Sequence, residues 1–271
     1  MGHDRPAPQP ALELPSFGSF LRQLRERAPS GHRRGGGMSR AELATLAGRG
    51  ISYITKLEQG EAHSPSFELV ESLADALEVT DAERQHLHDL RTHRRDTCCE
   101  PRPSAETITP ANKAYVDNLV PALSSFVDDA WNVLYPNSAY TRVYRHIDDP
   151  TISNVLLWFF FVPESRHIMV EWEREAQLTV AWLRGLMVGN HLNGVDRTDL
   201  IQRLSRSSEF RRMWTEGGVA LGRHKEEMLV RDLDRGTVLH LRAQVLKWPN
   251  PASSLQLYLG VDVGPMGVDE S

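Results

Sequence analysis

Ile51, Ser52, Thr55 and Lys56 share one face at helical spacing, and together they offer two hydroxyls, an ammonium group and an apolar tip. That mixture can hydrogen-bond the edges of base pairs and touch a thymine methyl, which is the chemistry of reading a major groove. Gln59, one turn further on, suits a backbone contact as well as a base contact. Arginines gather just upstream: Arg33 and Arg34 in the Gly-rich approach HRRGGG, Arg40 before the helix pair, and Arg49 in the turn. Guanidinium groups so placed suit phosphates, whose contacts set register and salt dependence while base contacts specify.

The elements that must hold these groups are legible around them. Residues 39 to 60, SRAELATLAGRGISYITKLEQG, predict a helix, a tight turn and a second helix running from near Gly50 to Gln59. Leu43, Ala44, Ala47, Ile54 and Leu57 are the expected buried positions. Ala44 lets the second helix approach closely, and Gly48 supplies a left-handed turn that a side chain would resist. Phe17, Phe20, Leu21 and Leu24 mark an earlier helix on the same core. Ser64-Pro65 is a helix-start signal, followed by Leu69, Val70, Leu73, Ala74 and Leu77 in helical rhythm. Asp81 to Arg91 completes five helices, with Leu87 and Leu90 facing inward.

Charge is polarised within this segment. The chain carries a net charge of −5, which alone argues against a nucleic-acid partner. Residues 22 to 56 nevertheless hold eight cationic side chains against two acids, whereas residues 57 to 90 hold nine acids against Arg84. A clustered patch, not the total, is the electrostatic footprint of a nucleic-acid binder.

At 271 residues the chain needs a second domain. Residues 94 to 110, rich in Pro, Thr and charge, read as a linker between a unit at 14–93 and one at 111–265. In the second unit, Ser124 to Val127 and Trp131 to Tyr135 are strand candidates joined at Asp128-Asp129. A helical middle follows, with Trp172, Ala176, Thr179, Val180, Leu183 and Met187 on one face of a long helix, then shorter helices over Asp199–Leu204 and Glu209–Trp214. Val238 to Leu246 alternates, and Leu255, Leu257, Leu259 and Val261 repeat the pattern opposite Gln256 and Tyr258. Asp234-Arg235-Gly236 and Pro249-Asn250-Pro251 are the turns. Two strands, helices, then three strands is the order of an α+β, PAS-like fold with a half-covered antiparallel sheet.

Other chemistries find little support. The paired Cys98 and Cys99 lack metal-ligand spacing, even with His86, His88 and His93 nearby, so no metal or cofactor is expected. Among His146, His167, His191 and His240 no nucleophile-base or haem arrangement emerges, which argues against an enzyme. The N-terminus lacks the apolar core of a signal peptide, and the longest apolar run, Val155 to Val162, is too short to span a bilayer. A cytoplasmic location, with no membrane partner, is the expectation.

The five-helix segment, residues 14 to 93, resembles the all-α XRE (lambda-repressor-like) helix-turn-helix domain. HRRGGGMSRAELATLAG followed by YITKLEQG resembles, more specifically, the DNA-binding half of MmyB-like transcription regulators. The second half carries matching motifs in order: WNVLYPN, NVLLWFFFVPESR, EWEREA, WLRG and SSEFRRMW. The resemblance implies a sequence-specific regulator that binds double-stranded DNA in the major groove, as a homodimer on a palindrome. It also implies that a small apolar ligand, such as a fatty acid, sits in the second domain. Trp131, Tyr135, Asn137, Trp158, Phe161, Trp172, Trp214 and His224 are the residues so implicated, although buried aromatics are more often plain core. The alternative is a second domain that serves only for dimerisation or protein interaction. The sequence departs from the family at Arg49 and Gly50, where an apolar residue and a serine-like cap are usual, and at Lys225, where a proline is.

Overall fold

Serine hydroxyls start the first helices. In the computed structural model, which describes residues 12, 16–30, 37–62, 65–92, 108–187, 194–220, 227–248 and 255–264, Ser16 caps α1 (Phe17–Arg27). Ser39 caps α2 (Arg40–Leu46) in a reciprocal box with Glu42. Helix α3 (Ile51–Gln59) follows, then α4 (Phe67–Ala76) and α5 (Asp81–Thr92). The cap of α4 is Ser66, whose hydroxyl accepts from the Leu69 N–H, so the helix begins two residues beyond the Ser64-Pro65 signal.

Phe20, Leu21, Leu24, Leu43, Ala44, Ile54, Leu57, Leu69, Leu73 and Leu87 form one buried cluster across all five helices. Gly18 sets the spacing of α1 on α3: a Cβ there would lie 2.4 Å from the Leu57 carbonyl oxygen and 2.8 Å from that of Glu58. No side chain fits such an approach, so α1 rests directly on the C-terminal backbone of α3.

The second unit opens with α6 (Pro110–Asp117), β1 (Leu123–Val127) and β2 (Val133–Pro136). Its middle comprises α7 (Ser138–Val143), α8 (Val155–Phe161), α9 (Ser165–Ile168), α10 (Trp172–Leu186), α11 (Gly194–Leu204) and α12 (Ser208–Glu216). Strands β3 (Glu227–Asp232), β4 (Thr237–Lys247) and β5 (Gln256–Asp262) complete an antiparallel five-stranded sheet in the order β2-β1-β5-β4-β3. Placing β5 beside β1 joins the ends of the domain, with Phe126 opposite Leu257 and Ser125 opposite Tyr258. The turn at Asp234-Arg235-Gly236 is formed as expected, with Gly236 left-handed at φ +65°.

Each face of the sheet has its own cover. Phe126 and Leu257 pack with Ile108 and Val116 beneath α6. The other face meets α7 to α12 through the larger core, which includes Val127, Ala243, Trp158 and Phe210. Of β5, the Leu257 face therefore packs under α6, whereas Tyr258 packs against the helical core. Trp131 departs from the strand expected for it: it lies in the β1–β2 turn at φ +61°. Asp128 builds that turn, its carboxylate accepting from the backbone N–H groups of Ala130 and Asn132 at 2.9 Å each. Among the described residues no helix is long and apolar enough to cross a membrane. The Pro249–Pro251 turn, Cys98 and Cys99 lie outside the described residues.

Candidate nucleic-acid face and ligand cavity

The turn between α2 and α3 has the geometry its glycine demands. Gly48 sits at φ +63°, and the Arg49 N–H returns to the Ala44 carbonyl at 2.8 Å. Gly50 caps α3 with backbone alone, having no side chain to donate or accept. The α3 face then presents Ile51, Ser52, Lys56 and Gln59 to solvent, with Ile51 54 % exposed. A single isoleucine that open is ordinary on a protein surface, so it marks an accessible face and identifies no partner. Thr55 is half-buried, its hydroxyl donating to the Ile51 carbonyl at 2.9 Å while keeping acceptor capacity. Tyr53, exposed at the same end of the helix, went unnoticed in the sequence because the helical template places it off the reading face.

The arginine cluster divides once folded. Glu58, inside α3, is buried and takes Arg25 in a bidentate pair, Nε to Oε1 at 2.6 Å and Nη2 to Oε2 at 3.1 Å. Arg40 donates its Nε to the same carboxylate at 2.8 Å. Burial alone would push the Glu58 carboxyl upward, but the hydrogen bonds from Arg25 and Arg40 outweigh it and hold the group below the usual carboxylate range. Arg27 pairs with Glu83 at 2.6 Å. Arg25 and Arg40 therefore brace the helix pair, and Arg27 ties α1 to α5. Arg49 and Lys56 are exposed and make no ion pair among the described residues. Arg40 retains partial exposure, whereas Arg33 and Arg34 lie outside the described residues.

In the second unit a cavity of about 490 Å³ opens between the sheet and the helices. Its walls come from Val127 and Trp131 at the β1–β2 turn, Tyr140 and Tyr144 of α7 and its C-cap, Trp158 and Phe159 of α8, Leu178, Thr179 and Trp182 of α10, and Met228, Val245 and Tyr258 of the sheet. No charged residue lines it among the described residues. The Asp128 turn holds Trp131 in its left-handed conformation against Trp182, ring centroids 4.5 Å apart. Backbone strain of this kind persists only where surrounding bonds over-determine it, and it gathers at ligand sites. The volume and the aromatic lining suit a small apolar molecule.

The ligand residues implied by the resemblance separate into two groups. Trp131 and Trp158 line the cavity. Tyr135, Asn137, Phe161, Trp172 and Trp214 do not. Tyr135 packs beneath α6, with its hydroxyl on Asp117 at 3.0 Å. Asn137 caps α7 and donates to Ser124 Oγ at 2.9 Å, tying that helix to β1. Phe161 is partly exposed at the end of α8. Trp172 donates to Ser165 Oγ at 3.1 Å beneath the Arg166 guanidinium. Trp214 sits beside Arg184. His224 lies outside the described residues. Trp182, which sequence reasoning missed, faces the cavity because it stands one turn beyond Leu178 and Thr179, off the stripe that fills the core.

Helix α10 also reaches the first unit. Arg184, buried, donates through Nη1 to the Trp214 carbonyl at 2.7 Å and through Nη2 to Gln23 Oε1 of α1 at 3.0 Å. Burial lowers its guanidinium from the ordinary value to about 10, which leaves it charged. Gly217 admits Gln23, since a Cβ there would stand 2.8 Å from Oε1. Val219 packs on the core of the five-helix unit, while Ala220 N–H bonds the Ala181 carbonyl of α10 at 3.0 Å. One helix thus carries cavity wall on one side and the contact with α1 on the other.

A helix-turn-helix unit joined to a sheet-and-helix domain with an aromatic cavity is the layout of a DNA-binding transcription regulator with a ligand-binding half. Residues 16–87 match the family profile of a helix-turn-helix domain, and residues 108–260 match that of the MmyB-like transcription regulator ligand binding domain. The chain belongs to the MmyB-like transcription regulators. A search of curated proteins finds no significant match.

Proposed function

We propose that this regulator binds a palindromic DNA site as a homodimer and is modulated by a small, fatty-acyl-like ligand held in the second domain. In this reading α3 enters the major groove, where Ile51, Ser52, Thr55 and Lys56 meet base edges. Arg33, Arg34, Arg40, Arg49 and Gln59 hold the backbone and register. Two copies engage half-sites about 10 bp apart, or a multiple of that. Such a protein works in the cytoplasm, without a membrane partner.

The observation that carries the ligand half is the uncharged cavity whose α10 wall is bonded to α1. A molecule against Leu178 and Trp182 shifts α10, and Arg184 passes that shift through Gln23 to α1, which rests at Gly18 on the end of α3. The size of the response is bounded by the ligand's differential affinity for the two arrangements. A module serving only dimerisation has no use for such a cavity.

Fluorescence anisotropy on the region upstream of the chain's own gene tests the DNA half. An Ile51→Ala, Ser52→Ala, Thr55→Ala variant is expected to keep salt-dependent binding but lose sequence preference; undiminished preference would overturn the base-reader assignment. Native mass spectrometry of the purified protein tests the ligand half, with a co-purified small molecule as the expected result.

A further inference from the structure

The cavity opens toward one end of β4. On the strand face turned to the helices, exposure rises along the chain: Leu241 is sealed, Ala243 stands at 6 % and Val245 at 37 %. The next residue on that face is Lys247, which is exposed. Thr179 and Trp182 of α10, both half-buried, form the helical side of the rim. The closed end lies at Tyr144, Trp158 and Met228, all buried. Among the described residues the Lys247 ammonium has no hydrogen-bond or ion-pair partner. Gln256, opposite Lys247 on β5, donates to Asp129 at 2.5 Å, so the acid on this side is already engaged.

Resting on the ligand-binding role proposed above, we propose that Lys247 is the head-group site of this cavity. An acyl ligand lies tail inward, and its carboxylate stays at the mouth against the Lys247 ammonium. Two demands set that orientation. The alkyl chain gains by leaving water for the apolar wall. An ionised carboxylate carried to the closed end would be buried with no described cation to pair it, which is prohibitive. Only a head group left at the rim satisfies both. A lysine suits that place, because its methylene stem lies along apolar wall while the ammonium stays in water. Lys247 thus adds to an otherwise uncharged chamber a preference for an anionic head on an apolar tail.

The test is isothermal titration of the full-length protein, stripped of any co-purified molecule, with dodecanoate and dodecan-1-ol at pH 8, below their aggregation concentrations. Lys247→Gln is expected to weaken dodecanoate binding about three-fold, the size of an exposed ion pair. Lys247→Glu, which replaces that attraction by repulsion, is expected to weaken it about ten-fold. Both variants should bind dodecan-1-ol as the unaltered protein does, which controls for fold and for the apolar wall. Added salt should weaken dodecanoate binding to the unaltered protein but not to Lys247→Gln. Dodecanoate binding unchanged in Lys247→Glu, or an equal loss for the alcohol, would overturn the proposal and leave the cavity's ligand role intact. So would binding of the alcohol alone. Failure of both probes to bind the unaltered protein would overturn the ligand role as well.

Discussion

His86 offers a test of how tightly the two halves are joined, because its ring is fully buried on α5 with neither nitrogen partnered among the described residues. The ring packs edge-on to Phe20 at 4.7 Å. Burial, and then the charge of Arg184 from the second domain, lower its pKa from 6.5 to about 3. Between those values the unfolded chain binds a proton that the folded protein refuses. Stability is therefore complete above about pH 6.5 and falls as the pH drops through the window toward 3. At pH 5 the expected loss from this one residue is about 2 kcal/mol relative to pH 8, growing to about 4 kcal/mol by pH 3. Urea unfolding at pH 8 and pH 5 reads it, with His86→Leu as the partner variant. The apolar replacement abandons no hydrogen bond and is expected to cost little at pH 8. Every other titrating group contributes alike to both proteins, so the variant should lose about 2 kcal/mol less than the unaltered chain. An equal loss in both would refute the buried, unprotonated histidine. Near pH 3, where the folded group itself titrates, an Arg184→Met variant should show an intermediate loss, since it removes the second cause but not the first.

Other consequences are open to direct measurement. Glu58→Gln strips the shared carboxylate from Arg25 and Arg40 and should destabilise the five-helix unit by about 3–5 kcal/mol in urea unfolding, as expected when a buried ion pair loses one member. Gly48→Ala, forced into the left-handed region, should cost about 1–2 kcal/mol by the same assay. Asp128→Ala should release the strained Trp131 turn, weakening ligand binding in titration calorimetry while leaving DNA affinity in anisotropy unchanged. Arg184→Met should still bind ligand, yet the ligand-induced change in DNA affinity should shrink toward zero; an unchanged shift would remove Arg184 from the coupling route.

Much of the fold was legible because local chemistry repeats it. The buried stripe from Phe20 to Leu87, the left-handed Gly48 and the alternation of β4 each follow from a periodicity or a steric rule acting over a few residues. The arginine cluster was legible only as charge. Counting could not separate Arg25, sealed against Glu58 thirty-three residues away, from Lys56, left in solvent. The ligand aromatics show the same limit. A motif marks a tryptophan as present but not the side of a helix on which it stands, so it does not separate Trp172 and Trp214, in the core, from Trp131 and Trp182, in the cavity wall.

By itself the sequence determined the helix pair, its outward side chains, the two-part layout and the family, since each rests on residue types at short separations. Tertiary structure alone decided which cations face solvent, which aromatics enclose the cavity, and that α10 serves both the cavity and α1. The physical reason is distance along the chain. A pairing such as Gln23 with Arg184 spans 161 residues, and no local period encodes it.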